Sequence, residues 1–451
     1  MPTQLPTIKH DSYRLKINWF SPIPPAPTGI ADYTARLMKD LSEFVEVTIW
    51  TEQEVYEPEI TRYVVVRTYD FSCFPWSELH EADLNIYNIG NNADFHTNIW
   101  QVSQQFPGLV VLHDAKLHHL FGAIYRDKWN EPKIYIQLMS YYYGEIGKKL
   151  AESFWNGQIS TEWMSENFPL TELAIAGSLG VIVHNPEVEH NLQQKSQIPV
   201  HYLPLCYNFT YLPGSVAPRT LEPPYKLITF GHLSLNRRID QVLKALQTLP
   251  QRQDFHWDIY GTVWDKKYLQ KQICTLGLQN QVSVHGFVPN NVLHEALSQA
   301  HLAINLRYPS MGEASLSQLW IWYHALPSLV TDISWYHYLP SDTVAKVRLE
   351  CEVQDIQTYL QNFHANPDAF TEMGLRGKAL LEKQHLPSAY AKQLVPIIST
   401  TMTLSYRLSS NPIVRNYFAK KVGEEFPEIS ENLWLDSACI GITQSIRFIT
   451  S

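Results

Sequence analysis

Short apolar runs alternate along this chain with segments whose apolar positions recur every three or four residues. Leu15-Lys-Ile-Asn-Trp-Phe20 predicts a strand; beyond the turn-rich Ser21–Gly29, the positions Ile30, Tyr33, Leu37, Leu41 and Phe44 predict a helix. Val45–Trp50, Leu84–Ile89, Leu109–Leu112 and Gly180–Val183 predict further strands, with a helix over Phe95–Gln105. The alternation then restarts. Strands at Lys226–Phe230, Trp257–Tyr260, Val282–Val284, Leu302–Leu306 and Leu329–Val330 interleave with helices at Ile239–Thr248, Lys266–Leu276, Asn291–Gln299 and Ala314–Ala325. Strand, helix and strand in repeated order call for parallel sheets covered on both faces. A Pro-rich stretch, Leu203–Pro224, separates the two runs, and the pattern weakens after Pro396. The expected organisation is an α/β domain over 1–207, a second over 208–395, and a helical extension over 396–451 that packs back on the first. Two doubly wound sheets joined by a hinge put a cleft between their C-terminal edges, where ligands of such sheets bind.

Composition narrows the class. The 451 residues exceed what one hydrophobic core organises. With 45% apolar and 18% charged residues, a disordered chain is excluded. Thirty-five basic against 44 acidic residues give a net charge of -9, which argues against a nucleic-acid partner. No apolar run is long enough to span a bilayer, and the first twenty residues lack the layout of a signal peptide. Five scattered cysteines without a CxxC pair read as reduced thiols of a cytoplasmic protein. Aromatic residues reach 12%, equally suited to stacking on sugars and to filling cores.

Four segments could carry chemistry. In Asn305-Leu-Arg-Tyr-Pro-Ser-Met-Gly-Glu-Ala-Ser-Leu-Ser317 a strand runs through a turn into a helix opening near Glu313. Free N–H groups at such a start suit a diphosphate; Glu313 either grips a sugar's hydroxyls or caps the helix. Phe230-Gly-His-Leu-Ser-Leu-Asn-Arg-Arg-Ile-Asp240 repeats the arrangement with Arg237 and Arg238, cations suited to a leaving diphosphate. His113-Asp114 ends a strand in VVLHDAKLHHL and faces the expected cleft; His118 and His119 are spaced unsuitably for a zinc site with it. Thr28-Gly-Ile-Ala-Asp-Tyr33 offers close backbone approach at Gly29. The absence of GxGxxG, P-loop, HExxH, GxSxG and Asp-x-Asp patterns removes the nicotinamide, P-loop, zincin, hydrolase and metal-clamp readings.

Taken in order, SPIPPAPTGIADYTARL, VVLHDAKLHHL, GVIVHNPEVEHNL, FGHLSLNRRIDQVLKAL and NLRYPSMGEASLSQL resemble the GT-B glycosyltransferases of family 4, also called group 1, from about Leu15 to Leu394. The resemblance implies a GT-B fold of two Rossmann-like doubly wound domains facing a central cleft. It implies a retaining, metal-independent transfer from a nucleoside-diphosphate sugar, UDP- or GDP-linked, to a glycan, lipid-linked or small-molecule acceptor, with no cofactor. By position, Glu313, His113 and Arg237 take the catalytic roles. Gly29, Gly231, His232, Arg238, Gly312, Ala314, Ser315 and Leu316 take the donor-binding ones. Two positions depart from the pattern: Ile321 stands where a second glutamate is usual, and His232 where arginine is common. They motivate the alternative of an inactive GT-B subunit that binds sugar or supports a partner transferase. A lipid-linked acceptor would add peripheral contact with the inner face of a membrane, and the aromatics between Gly122 and Leu173, Tyr141 to Tyr143 and Trp155, are then either an acceptor platform or core.

Overall fold

A computed structural model describes residues 14–207 and 219–409. Its strands are β1 (Lys16–Phe20), β2 (Glu46–Thr51), β3 (Val65–Thr68), β4 (Leu84–Ile89), β5 (Leu109–Leu112), β6 (Gly180–Val183), β7 (Val200–Tyr202), β8 (Tyr225–Phe230), β9 (Phe255–Tyr260), β10 (Val282–Gly286), β11 (Leu302–Asn305), β12 (Ser328–Thr331) and β13 (Ala345–Val347). They form two sheets, in the orders β3-β2-β1-β4-β5-β6-β7 and β10-β9-β8-β11-β12-β13. Every pairing is parallel. Each sheet reverses its strand order once, between β1 and β4 and between β8 and β11, and a doubly wound sheet opens a ligand crevice at such a reversal.

The central strands are buried on both faces, as crossover helices require; all six residues of β4 are covered. Its Asn85 and Asn88 are tolerated there because each is hydrogen-bonded. Asn18 Nδ2 donates to Asn85 Oδ1 at 2.8 Å, Trp50 Nε1 donates to Asn18 Oδ1 at 2.8 Å, and Asn88 Nδ2 donates to the Phe20 carbonyl at 3.0 Å. Much of the aromatic surplus is core: Trp19, Trp50, Trp257, Trp322 and Trp335 are fully buried.

The structure departs from the expected elements in instructive places. The edge strands β3, β7 and β13 are three or four residues long, too short for periodicity to reveal. Pro396, expected to open a separate extension, lies inside one continuous helix, Pro387–Ser409. This helix packs on the Gly29–Leu41 helix of the first domain, where the Tyr33 and Tyr390 hydroxyls meet at 2.8 Å. The rest of the expected extension, 410–451, lies outside the described residues. Just before that helix the chain returns to its first crossing between domains: the Tyr207 N–H donates to the His385 carbonyl at 3.0 Å, and His385 Nδ1 donates to the Leu205 carbonyl at 2.6 Å. Two chain segments therefore lie side by side at the hinge. Among the described residues, no helix is long and apolar enough to cross a membrane.

Candidate active site

A cleft of about 1460 Å³ opens between the C-terminal edges of the two sheets and takes its walls from both domains. From the first domain come Gly29 and Tyr33 after β1, Asn91 after β4, His113 and Asp114 after β5, and His184 after β6. From the second come Arg238, Arg307, Glu313 and the run Ala314 to Ser317. The loop between β11 and the next helix is tied to the first domain: the Met311 carbonyl accepts the N–H groups of Ala115 and Lys116 at 2.8 and 2.9 Å, and Asn185 Nδ2 donates to the Gly312 carbonyl at 3.1 Å. Gly312 is required at this contact. Its φ is +82°, and a Cβ there would lie 2.6 Å from the Cβ of Ala115.

The helix that follows begins later than the sequence suggests. It spans Leu316–Tyr323, and Ser315 is its N-cap, its Oγ accepting the Gln318 N–H at 3.2 Å. Its first N–H groups have no partner within the helix, and the residues that carry them, Leu316 and Ser317, line the cleft. Ser315→Ala is expected to lower stability by about 1 kcal/mol through loss of the cap, readable by chemical denaturation. Glu313 is therefore not the cap. Its carboxylate is ion-paired with Arg307 and accepts from Ser310 Oγ at 3.1 Å and from the Met311 N–H at 2.7 Å. Burial acts to raise its pKa, but the Arg307 guanidinium and these donors outweigh burial and hold it below the usual range. Glu313 stays ionised, with three of its four acceptor positions occupied and one left for an incoming hydroxyl.

Across the cleft, His113 Nε2 lies 3.0 Å from Asn88 Oδ1. Asn88 Nδ2 donates to Phe20, which leaves Oδ1 facing His113; an amide oxygen only accepts, so His113 donates from Nε2 and keeps Nδ1 as an acceptor. Burial, and then the neighbouring His184, hold its pKa well below the usual value, so the ring is neutral. His184 donates from Nδ1 to the Leu203 carbonyl at 2.9 Å, and its Nε2 is buried without a partner.

Asp114 accepts the Asn91 N–H at 2.9 Å, and its pKa is pushed up to about 7 by burial and then by Glu313. A carboxyl with a raised folded-state pKa stabilises the fold most at low pH, and that stabilisation is lost as pH rises through the folded value. The melting temperature is expected to fall between about pH 4 and pH 7, from the ordinary carboxyl value to the raised one, and Asp114→Asn to flatten this part of the profile. Superimposable profiles would exclude Asp114 as the titrating group.

Of the sequence-predicted residues, Gly29, His113, Arg238, Glu313, Ala314, Ser315 and Leu316 line the cleft. Gly231, His232, Arg237 and Gly312 do not. Gly231 packs under Gly261, and His232 is turned to solvent. Arg237 is 6% exposed and bonded to Asn305 Oδ1 at 2.9 Å, to the His232 carbonyl at 3.3 Å and, at 3.5 Å, to Ser317 Oγ of the cleft wall. Arg238 adopts a left-handed backbone and grips both oxygens of the buried Glu352. Ile321 is buried in the core, away from the cleft. None of Tyr141, Tyr142, Tyr143 or Trp155 lines the cleft, so of the two readings open for them the acceptor platform is not part of this wall. The sequence reading missed Arg307 as a cleft residue. Strand alternation was the available signal: Arg307 stands two positions beyond the inward-facing Asn305.

Residues 217–313 match the family model for glycosyl transferases group 1. No curated protein sequence matches. Among solved structures, the chain resembles sucrose-phosphate synthase from Thermosynechococcus elongatus, at 15% identity and a TM-score of 0.59 over 87% of this chain and 100% of that one. It also resembles Anabaena HepE, crystallised with UDP and glucose, at 13% identity and a TM-score of 0.58 over 86% and 100%. A glycosyltransferase from Rickettsia africae follows at 10% identity and a TM-score of 0.56 over 86% and 99%. With sheets of seven and six parallel strands, the fold is GT-B, as expected from the sequence.

Proposed function

We propose that this protein transfers a sugar from a nucleoside-diphosphate sugar to a hydroxyl acceptor, with retention of configuration and without a metal. The observation that carries this reading is the single cleft in which Glu313, Arg307 and the start of the Leu316–Tyr323 helix face His113 and Gly29 of the other domain. The group 1 match over 217–313 and the UDP and glucose held by Anabaena HepE support a nucleotide-sugar donor.

In this reading the diphosphate lies against the N–H groups of the helix start, where the helix dipole favours anions. The ionised Glu313 accepts from a sugar hydroxyl at its remaining acceptor position, and the neutral His113 accepts from another at Nδ1. As the sugar–oxygen bond breaks, negative charge grows on the leaving diphosphate, and fixed donors aimed at that charge lower the barrier. The leaving oxygen takes the acceptor's proton on the same face, so the protein need not supply a base. The acceptor is a glycan, a lipid-linked sugar or a small molecule entering from the first domain.

Incubation with UDP-, GDP- and ADP-sugars and a panel of acceptors tests the reading. Nucleoside diphosphate release that survives EDTA, with an α-linked product from an α-linked donor, is expected. Release from none of the donors would overturn it and favour a binding subunit instead.

A further inference from the structure

The resemblance assigned the donor's counter-charge to Arg237, yet that guanidinium is buried behind the wall, spent on Asn305, the His232 carbonyl and the cleft-lining Ser317, and does not itself line the cleft. Among the described residues, the Lys and Arg side chains lining the cleft are Lys128, Arg238 and Arg307. Lys128 is held at the rim of the first domain by Asp94 at 3.2 Å and the Ala93 carbonyl at 2.8 Å. Arg238 is neutralised by the two-oxygen grip of Glu352. Arg307 is placed differently. It follows β11 at the strand-order reversal, in the same cleft wall as the start of the Leu316–Tyr323 helix.

The geometry of Arg307 leaves one side of it to be used. Its Nη1 donates to Glu313, whereas its Nε is buried without a partner, as is the hydroxyl of nearby Tyr336. The Nε and Nη2 hydrogens form the edge of a guanidinium that binds a phosphate through two parallel bonds. Buried donors of this kind in folded proteins nearly always have a partner. Arg237 stands close behind. Its pKa is pushed down to about 9 by burial and then by repulsion from Arg307. An anion placed against Arg307 relieves that repulsion.

Building on the nucleoside-diphosphate reading above, we propose that Arg307, rather than Arg237, is the guanidinium that meets the donor's diphosphate, and that its ion pair with Glu313 couples diphosphate binding to the grip on the sugar. Arg237 is then a positioning residue: it anchors Asn305, which also donates to Gln318 at 3.0 Å, and so sets the floor beneath Arg307. The coupling follows because both groups sit on one loop. A phosphate that draws the guanidinium draws the attached carboxylate with it, and a sugar hydroxyl on Glu313 restrains both.

The test is calorimetric titration of the full chain with nucleoside mono- and diphosphates, UMP against UDP and GMP against GDP. Wild type should prefer the diphosphate. Arg307→Met should lose at least about tenfold of that preference while its monophosphate affinity stays within about twofold, a split that general loosening of the fold would not produce. Arg307→Lys keeps the charge without the two-bond edge and should retain only part of the preference. If Arg307→Met does not fold, the lysine variant decides. A folded variant that keeps the full preference overturns the inference alone. Wild type that binds none of these nucleotides overturns the donor reading, and this inference with it.

Discussion

Glu313→Gln should lower turnover by about a hundredfold to a thousandfold and destabilise the fold in the same step. The substitution keeps shape and volume, and the amide oxygen can still accept from Ser310 and Met311. What it removes is charge. Arg307, only 18% exposed, then has no anionic partner, and an unpaired buried charge costs about 3–5 kcal/mol. The two effects separate by measurement. Product release is followed well below the variant's melting temperature, and stability by urea unfolding. Wild-type turnover in a destabilised variant would confine Glu313 to holding its loop; unchanged stability would show that the Arg307 pair contributes little.

Gly312→Ala should act through the relation of the two domains rather than through either core. Alanine at φ +82° carries a conformational cost of about 1–2 kcal/mol, and its methyl would lie 2.6 Å from the Ala115 Cβ. The contact is relieved when the loop backs away from the first domain, breaking the bonds from Ala115, Lys116 and Asn185. Glu313 and His113 then no longer face each other at working distance. Misplacement of reacting groups by about 1 Å costs on the order of a hundredfold in rate. Small-angle scattering should report a larger radius of gyration, while far-UV circular dichroism stays unchanged. An unaltered radius together with wild-type kinetics would show that the loop tolerates the methyl as it stands.

Much of this architecture was legible because its signals are local. The strands Leu109–Leu112 and Gly180–Val183 fall at the expected residues, since a fully buried parallel strand is an unbroken apolar run between polar turns, and Leu84–Ile89 does so although Asn85 and Asn88 interrupt its run. The start of the helix after Glu313 was misplaced although a signal was present. Ser315 with Gln318 three residues on is a serine-to-glutamine capping spacing, and it marks Leu316 as the first helical residue. Arg237 and Arg238 could not be told apart. Their opposite fates depend on a left-handed backbone at Arg238 and on Glu352, 114 residues away. The Tyr33–Tyr390 contact, spanning 357 residues, was likewise beyond any local pattern.

The two segments that lie together at Tyr207 and His385 restrict how this molecule can move. A single tether would let the second domain swing, twist and tilt independently. Two adjoining tethers leave one easy rotation, like a leaf on a pinned hinge. Cleft opening thereby reduces to one angle. A single pair of spectroscopic labels, one in each domain, would follow the whole working cycle.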